Sequence, residues 1–275
     1  MRIEMHCLSS CSDGSLPARV VAERAAAREV ELFCLSDHDT CEGYDEVTAV
    51  FPDALRGVEL SCTDNDRTVH LLIYQKTSSS SWHMLEESLV VQKQVRRDRV
   101  YLIAERLQEL GVELDSERIL RTVPGVVGRP HIAAELVRNG TVRSKDEAFS
   151  RFLKDGGPGD VKVSRLSLAE GISLGAAAGG CMSLAHPHLY GKGAEELIRR
   201  HLEFGLSGLE VHYAKYKSAR RAEFAGLAEK FDLVQTGGSD FHEDGPGKPV
   251  LGVDMSDTVA QRIFSWLERD LPGNA

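Results

Sequence analysis

The sequence predicts an α/β fold: a barrel of alternating strands and helices with a helical lobe inserted into it. Three observations carry this. Short apolar runs alternate with helical patterns toward both ends of the chain, as parallel α/β architecture requires. The long stretch between Tyr74 and Cys181 breaks that rhythm and reads as helical. A chain of 275 residues is long for one ordinary domain and short for three, and suits one barrel with an insertion.

Taken in order, residues 17–30 open on Pro17 and set Val20, Val21, Ala25 and Ala26 at helical spacing. Residues 32–37 (LFCLSD) read as a buried strand, followed by strands at 56–62 (RGVELSC) and 68–74 (TVHLLIY). TSSSS at 77–81 is a polar hinge. A helix with few breakers is expected at 82–110, with more at 116–122, 130–138 and 144–153. Gly156, Gly157, Pro158 and Gly159 then interrupt the chain before a strand-like 161–163. Strands return at 181–187, 206–213 and 231–242, separated by helices at 194–204 and 218–230. The expected organisation is a barrel from residues 1–76 and 160–275, with an inserted helical subdomain at 77–159 covering the active site. Reading 77–159 as ordinary barrel helices would leave too few strands for its length.

Composition narrows the function. Hydrophobic residues at 42% and charged residues at 27% describe a globular chain, not a disordered one. No run approaches the roughly 20 apolar residues that span a bilayer. The opening MRIEMHCLSSCSDG lacks the layout of a secretion signal, so a soluble cytoplasmic protein without a membrane partner is expected. A net charge of −9 argues against a broad grip on duplex DNA. It leaves room for a small phosphorylated substrate or a short strand end. The six cysteines form no C-x-x-C pair and are expected to be reduced and mostly buried.

The histidines fall at or near strand ends. His6, His38, His70, His186 and His242 do so, accompanied by Asp13, Asp37, Asp39, Glu59 and Asp240. In a parallel barrel the C-terminal strand ends converge on one rim, so residues distant in sequence meet there. Imidazoles mixed with carboxylates are the ligand set of divalent Mn²⁺, Zn²⁺ or Fe²⁺. Asp240 and His242, two apart in extended chain, share a face. Glu59, with two oxygens, suits a bridge between adjacent ions. Gly237 and Gly238 permit a close backbone approach, and Pro187 fixes a turn after His186.

The segments HCLSSCSDGS (6–15), LSDHDT (35–40), GVEL (57–60), AHP (185–187) and GSDFH (238–242) resemble, in order, the motifs of the PHP (polymerase and histidinol phosphatase) family. RPHIA (129–133) is similar to the branch containing bacterial phosphoesterases of 3′,5′-nucleotide bisphosphates and short RNA 5′ ends. The resemblance implies a distorted (β/α)7 barrel with two or three divalent ions, Mn²⁺ foremost with Zn²⁺ or Fe²⁺ as alternatives, and phosphoester hydrolysis. It implies His6, Glu59 and Asp240 at one ion, Glu59, His70 and His186 at a second, and Asp13, His38 and His242 at a third. His38 and His242 are read as ligands or as donors of a proton to the leaving oxygen. Arg129, His131 and Arg165 are the expected substrate-binding residues. One departure matters: the family opens with H-x-H, and here Leu8 stands at the second histidine, facing the site by strand alternation while Cys7 faces away. The first ion position is expected to be weak or empty.

The expected activity is hydrolysis of a phosphate ester of a small nucleotide bisphosphate or of a short RNA 5′ end. Alternatives are a histidinol-phosphate phosphatase and, because of Leu8, a non-catalytic nucleotide-binding member. Asp37 or Asp39 is read as orienting ligand histidines. Glu210 and His212 are read as facing the rim of the site, His188 as lining the pocket or facing solvent, and His83 and His201 as solvated. The run Arg96-Arg97-Asp98-Arg99 is read as a solvated helix face served by Glu86, Glu87, Asp98 and Glu105.

Overall fold

The computed structural model describes residues 1–75 and 81–268, so the expected hinge lies, apart from Ser81, outside the described residues. The first half runs β1 (Arg2–Glu4), α1 (Ala18–Ala27), β2 (Leu32–Phe33), α2 (Tyr44–Thr48), β3 (Arg56–Asp64), β4 (Arg67–Gln75), α3 (Trp82–Glu109), α4 (Ser116–Thr122), α5 (Arg129–Arg138) and α6 (Lys145–Ala148). The second half runs α7 (Leu168–Ala177), β5 (Cys181–Leu184), α8 (Ala194–His201), β6 (Gly208–Tyr213), α9 (Ser218–Lys230), β7 (Val234–Gly238), β8 (Val253–Asp254) and α10 (Asp257–Leu267).

Strands β3 to β7 form one sheet in sequence order, and β2, β1 and β8 form another. Bridges between Cys34 and Leu55 and between Cys7 and Phe241 join the two, with Met5 N–H donating to Gly237 O at 3.2 Å. Strands β1 to β7 thereby close a distorted seven-stranded barrel, and the fold is the α/β barrel with an inserted helical lobe that the sequence predicts. The seam is tight: a Cβ on Gly238 would stand 2.4 Å from His6 N, so only glycine fits there.

The barrel departs from uniform parallel order at β4, which runs antiparallel to both β3 and β5. The β3–β4 hairpin turns through Asn65 and Asp66, at φ 46° and 64°, the left-handed pair that a two-residue hairpin turn demands. Residues 161–163 form no strand, and β2 is shorter than expected because only its first two residues pair regularly. Five further elements, β1, α2, α7, β8 and α10, are not among those expected from the sequence, although α10 sets Ala260, Ile263, Trp266 and Leu267 on one face at helical spacing. Local chemistry accounts for two of the helices: Ser167 and Glu170 cap α7 reciprocally, and the Ser256 hydroxyl accepts from Val259 N–H at the start of α10.

Side-chain alternation sorts the barrel. Val58, Leu60 and Cys62 on β3, Val69, Leu71 and Ile73 on β4, and Leu209 and Val211 on β6 face outward into one apolar cluster with α7, α8 and α9. Glu59, His70 and Glu210, at the intervening positions, must face inward. Helix α3 belongs to two cores. Its start (Trp82, Leu85, Leu89) packs in the barrel cluster, while Val100, Ile103 and Leu107 join α4, α5 and the π-helical turn Phe149–Leu153 after α6 in a separate one. Among the described residues, no helix is long and apolar enough to cross a membrane.

Candidate metal centre

Seven segments bring their polar side chains to one mouth. His6 follows β1, and Asp13 comes from the loop beyond it. His38 follows β2 and forms a bridge with Glu59. His70 arrives differently from the others. Because β4 is reversed, the early part of that strand lies at the mouth, with His70 paired to Ser61. His186 follows β5, and Asp240 and His242 follow β7. His186 and Asp240 adopt left-handed backbone, at φ 29° and 53°. Non-glycine residues hold such angles only where the surroundings enforce them, which is common at functional sites.

Glu59 is the centre. Its Oε1 lies 2.7 Å from His70 Nδ1 and 2.9 Å from His186 Nε2, and these two ring nitrogens are 3.2 Å apart. Its Oε2 lies 3.1 Å from both His6 Nε2 and His38 Nδ1. Asp240 Oδ1 stands 3.5 Å from His6 Nε2. On the far side, Asp13 is 3.8 Å from His38 Nε2 and 3.6 Å from His242 Nε2. His6 Nε2, His38 Nδ1, Glu59 Oε2 and Asp13 Oδ1 are buried yet make no hydrogen bond. Buried polar atoms left without partners are costly. Imidazole and carboxylate atoms crowded at about 3 Å without hydrogen-bond geometry are what a divalent cation would satisfy. The donor set fits.

Charge agrees. Burial alone would raise the Glu59 carboxyl, but His38, His6 and His70 outweigh it and hold it well below its usual range. Asp13 and Asp240 are likewise lowered against burial by neighbouring histidines. Burial pushes His70 down to about 4, so its ring is neutral near pH 7 with a lone pair free.

Around this cluster lies a supporting ring. Glu210, fully buried, accepts from His6 Nδ1 at 2.8 Å and His186 N–H at 2.6 Å, so it does not face substrate. Tyr213 donates to Asp240 Oδ2 at 2.7 Å. Glu4, also fully buried, accepts backbone N–H groups from His6, Ser239 and Gly252, stapling β1 to the end of β7. Asp37 and Asp39 do other work than expected. Asp37 holds Ser9 and Ser12, shaping the loop that ends in Asp13. Asp39 takes Ser61 N–H and Arg96. His212 bonds Gln235 and His188 bonds Tyr216. His201, expected in solvent, is buried with Nδ1 on Leu197 O. Cys7 turns into the apolar cluster under α1, while Leu8 is fully buried and belongs to none of the apolar clusters.

Against the histidines opens a cavity of 180 Å³, with His38 and His70 on the barrel side and Arg96, Arg99, Arg129 and Arg165 on the other. A larger one of 800 Å³ shares His70, Arg99, Arg129 and Arg165 and reaches His186. The solvated-face reading of residues 96–99 is therefore overturned for Arg96 and Arg99, whose side chains are only 12% and 11% exposed. Their partners are Asp39 and Asp160, not acids of the same helix. A signal was available: both lie on the stripe of α3 marked by Leu89, Gln92, Val100 and Ile103, three and four residues apart. Burial and then the neighbouring cations Arg165 and Arg129 push Arg99 down to about 10. Arg129 pairs with Asp155 at 2.5 Å. Arg165 has the Thr68 hydroxyl at 3.0 Å and forms no ion pair among the described residues. His131 is absent from both linings; its Nδ1 accepts from Gly128 N–H and caps α5.

No family model matches the chain. It is 32% identical over 250 residues to a 5′-3′ exoribonuclease of Haemophilus influenzae, covering 88% of this chain and 90% of that protein. It is 31% identical over 267 residues to a 3′,5′-nucleoside bisphosphate phosphatase of Chromobacterium violaceum, covering 91% and 90%. Its structure matches a crystal structure assigned as a metal-dependent phosphoesterase from Bifidobacterium adolescentis, with a TM-score of 0.81, 26% identity, and 96% and 95% of the two chains covered.

Proposed function

The chain belongs to the PHP family of metal-dependent phosphoesterases, and from that premise we propose that it hydrolyses a phosphate ester of a small nucleotide carrying a second phosphate, or of a short RNA 5′ end. It is a metal-dependent phosphoric ester hydrolase, so the non-catalytic alternative falls away. The observation that carries the substrate reading is the contact of two opposite sites. A cation-binding cluster opens directly onto a cavity walled by four guanidiniums, one of them without a carboxylate partner. Guanidiniums that repel one another beside a metal centre call for an anion, and a planar fork suits phosphate.

In this proposal the ligand groups are His6, Glu59 and Asp240; Glu59, His70 and His186; and Asp13, His38 and His242. Mn²⁺ is the first choice, with Zn²⁺ or Fe²⁺ able to use the same donors. Such ions supply activated water at neutral pH and offset phosphoryl charge. The protein's own groups do the rest. Arg165, Arg129 and Arg99 grip the second phosphate and orient the ester. His242 has one free nitrogen, because its Nδ1–H is spent on Asp240 O: Nε2 either completes the group with Asp13 and His38 or, where no ion is held there, passes a proton to the departing oxygen, a role its ring, 33% exposed and the most open of the cluster, allows. Residues 77–159 act as the selecting cover on a body of residues 1–76 and 160–275. Nucleotide substrates of this kind place the enzyme's work in the cytoplasm.

The test is release of inorganic phosphate from a 3′,5′-nucleoside bisphosphate, of nucleoside 5′-monophosphate from a 5′-phosphorylated RNA trimer, and of inorganic phosphate from histidinol phosphate, with and without Mn²⁺. Metal-dependent turnover of the first or second, exceeding that of the third, is expected. Preference for histidinol phosphate, or no turnover of any with all metals supplied, overturns the reading.

A further inference from the structure

Glu210 touches two members of the cluster at once, with both oxygens. Oε1 accepts from His6 Nδ1 at 2.8 Å, and Oε2 accepts the His186 backbone N–H at 2.6 Å. It sits where the register of β6 against β7 shifts, between Glu210 and His212, and is wholly shielded from solvent. We infer that Glu210 is a positioning residue: it fixes His6 with the Nε2 lone pair toward Glu59 and Asp240, and holds the left-handed turn at His186.

With Oε2 taken by the His186 N–H, the 2.8 Å contact sets His6 Nδ1 against a carboxylate oxygen, an acceptor, so Nδ1 carries a proton. The free end is then Nε2, which lies 3.1 Å from Glu59 Oε2 and 3.5 Å from Asp240 Oδ1 and has no hydrogen bond of its own. At His186, a non-glycine φ of 29° is strained, and a charge-assisted bond to its N–H compensates that strain. Both oxygens being engaged, Glu210 has nothing left to offer substrate. Glutamine cannot substitute. It has one accepting oxygen, so its amide NH₂ must face either the His6 Nδ1–H or the His186 N–H, donor against donor.

The inference rests on the cluster's being a divalent-cation site, and the experiment separates the two. Mn²⁺ dissociation constants are measured on the full chain by the electron paramagnetic resonance of free Mn²⁺, for wild type and Glu210→Gln. Alongside are taken the metal-free Tm and kcat and KM across Mn²⁺ concentrations. Expected is weakening, on the order of 10- to 100-fold, of the two classes of Mn²⁺ sites that His6 and His186 serve, with the class served by Asp13, His38 and His242 unchanged and the metal-free Tm lowered by the buried donor left unpaired. Activity should recover through kcat as Mn²⁺ rises, at constant KM. Unchanged Mn²⁺ affinity overturns the inference alone. So does equal weakening of all three classes, the one served by Asp13, His38 and His242 included, which marks a general structural role. Wild type that takes up no Mn²⁺ overturns both the inference and the centre it rests on. Should the variant not fold, ¹⁵N spectra of the Zn²⁺-loaded wild type decide: His6 protonated at Nδ1 supports the assignment, and protonation at Nε2 overturns it.

Discussion

Replacing Glu59 with glutamine keeps the shape of the central residue and removes its charge. Oε1 serves His70 and His186, and Oε2 serves His6 and His38. The amide therefore spoils two of the three proposed ion positions and leaves Asp13, His38 and His242. An ion at about 1,000 times its Kd stabilises the folded state by about 4 kcal/mol. With an unfolding entropy of about 2.1 cal/mol/K per residue, that raises the Tm of a chain this long by about 7 °C per ion. Saturating Mn²⁺ should thus lift the wild type by about 14 °C or more, and Glu59→Gln by only about 7 °C. Turnover should fall about 10³-fold, the loss of several kcal/mol of charge stabilisation. The metal-free proteins differ too. Glu59 titrates well below its ordinary range when folded, so its contribution is present above the unfolded pKa and vanishes as pH falls through the folded one. Metal-free Glu59→Gln should be the less stable protein at neutral pH, with the gap closing in acid. Scanning calorimetry with Mn²⁺ titration and a phosphate-release assay read all of this. Equal Tm gains in the two proteins, with turnover within a factor of about 10, would refute the shared-carboxylate arrangement.

Three other perturbations test separate parts of the site. Arg165→Gln relieves repulsion among Arg99, Arg129 and Arg96, so Tm should hold or rise. KM for a nucleoside bisphosphate should rise roughly 10- to 100-fold, the worth of a hydrogen bond to a charged group, while KM for a monophosphate ester stays put; equal effects on both would remove Arg165 from the second-phosphate site. Leu8→His fits a buried position of similar bulk and should tighten one Mn²⁺ class; an unchanged titration would mean that position 8 does not face the cluster. Burial raises the Glu4 carboxyl to about 7 against the pull of its three backbone N–H partners. A raised acid stabilises below its unfolded pKa and loses that contribution as pH climbs through the folded value, so wild type should lose about 3 kcal/mol relative to Glu4→Gln between pH 4.5 and 8 in urea melts, and a flat difference would contradict the assignment.

The cluster was legible because the chemistry dictates residue type and the fold dictates place. Imidazoles and carboxylates at strand ends have few other reasons to recur, and strand alternation put Cys7 and Leu8 on opposite faces without coordinates. The direction of β4 was not legible. TVHLLIY has the same period read either way, and only the two-residue turn at Asn65 and Asp66 hints at reversal. Buried Glu210 shows a second limit. In LEVHY it reads as a polar residue at a strand end, and nothing in the pattern tells a residue that meets substrate from one that holds a histidine behind it.

The four arginines expose the reach of whole-chain charge. A net −9 was reason to set aside a broad cationic surface, yet it says nothing about a local concentration of cations. Here the opposite charges are divided between structural parts: the barrel contributes the acids and imidazoles, and α3, α5 and the segment before α7 contribute the guanidiniums. Arg96 crosses between them, bonded at once to Asp39, Ser61 and Val127 O, so it anchors helix α3 to the barrel mouth. With Arg96 spent on that anchorage and Arg129 balanced by Asp155, the guanidinium with the fewest protein partners is Arg165. A charge that folding leaves uncompensated beside a cation site is the part of the pocket most dependent on what binds there, which is why substrate choice should hinge on it more than on the metal ligands.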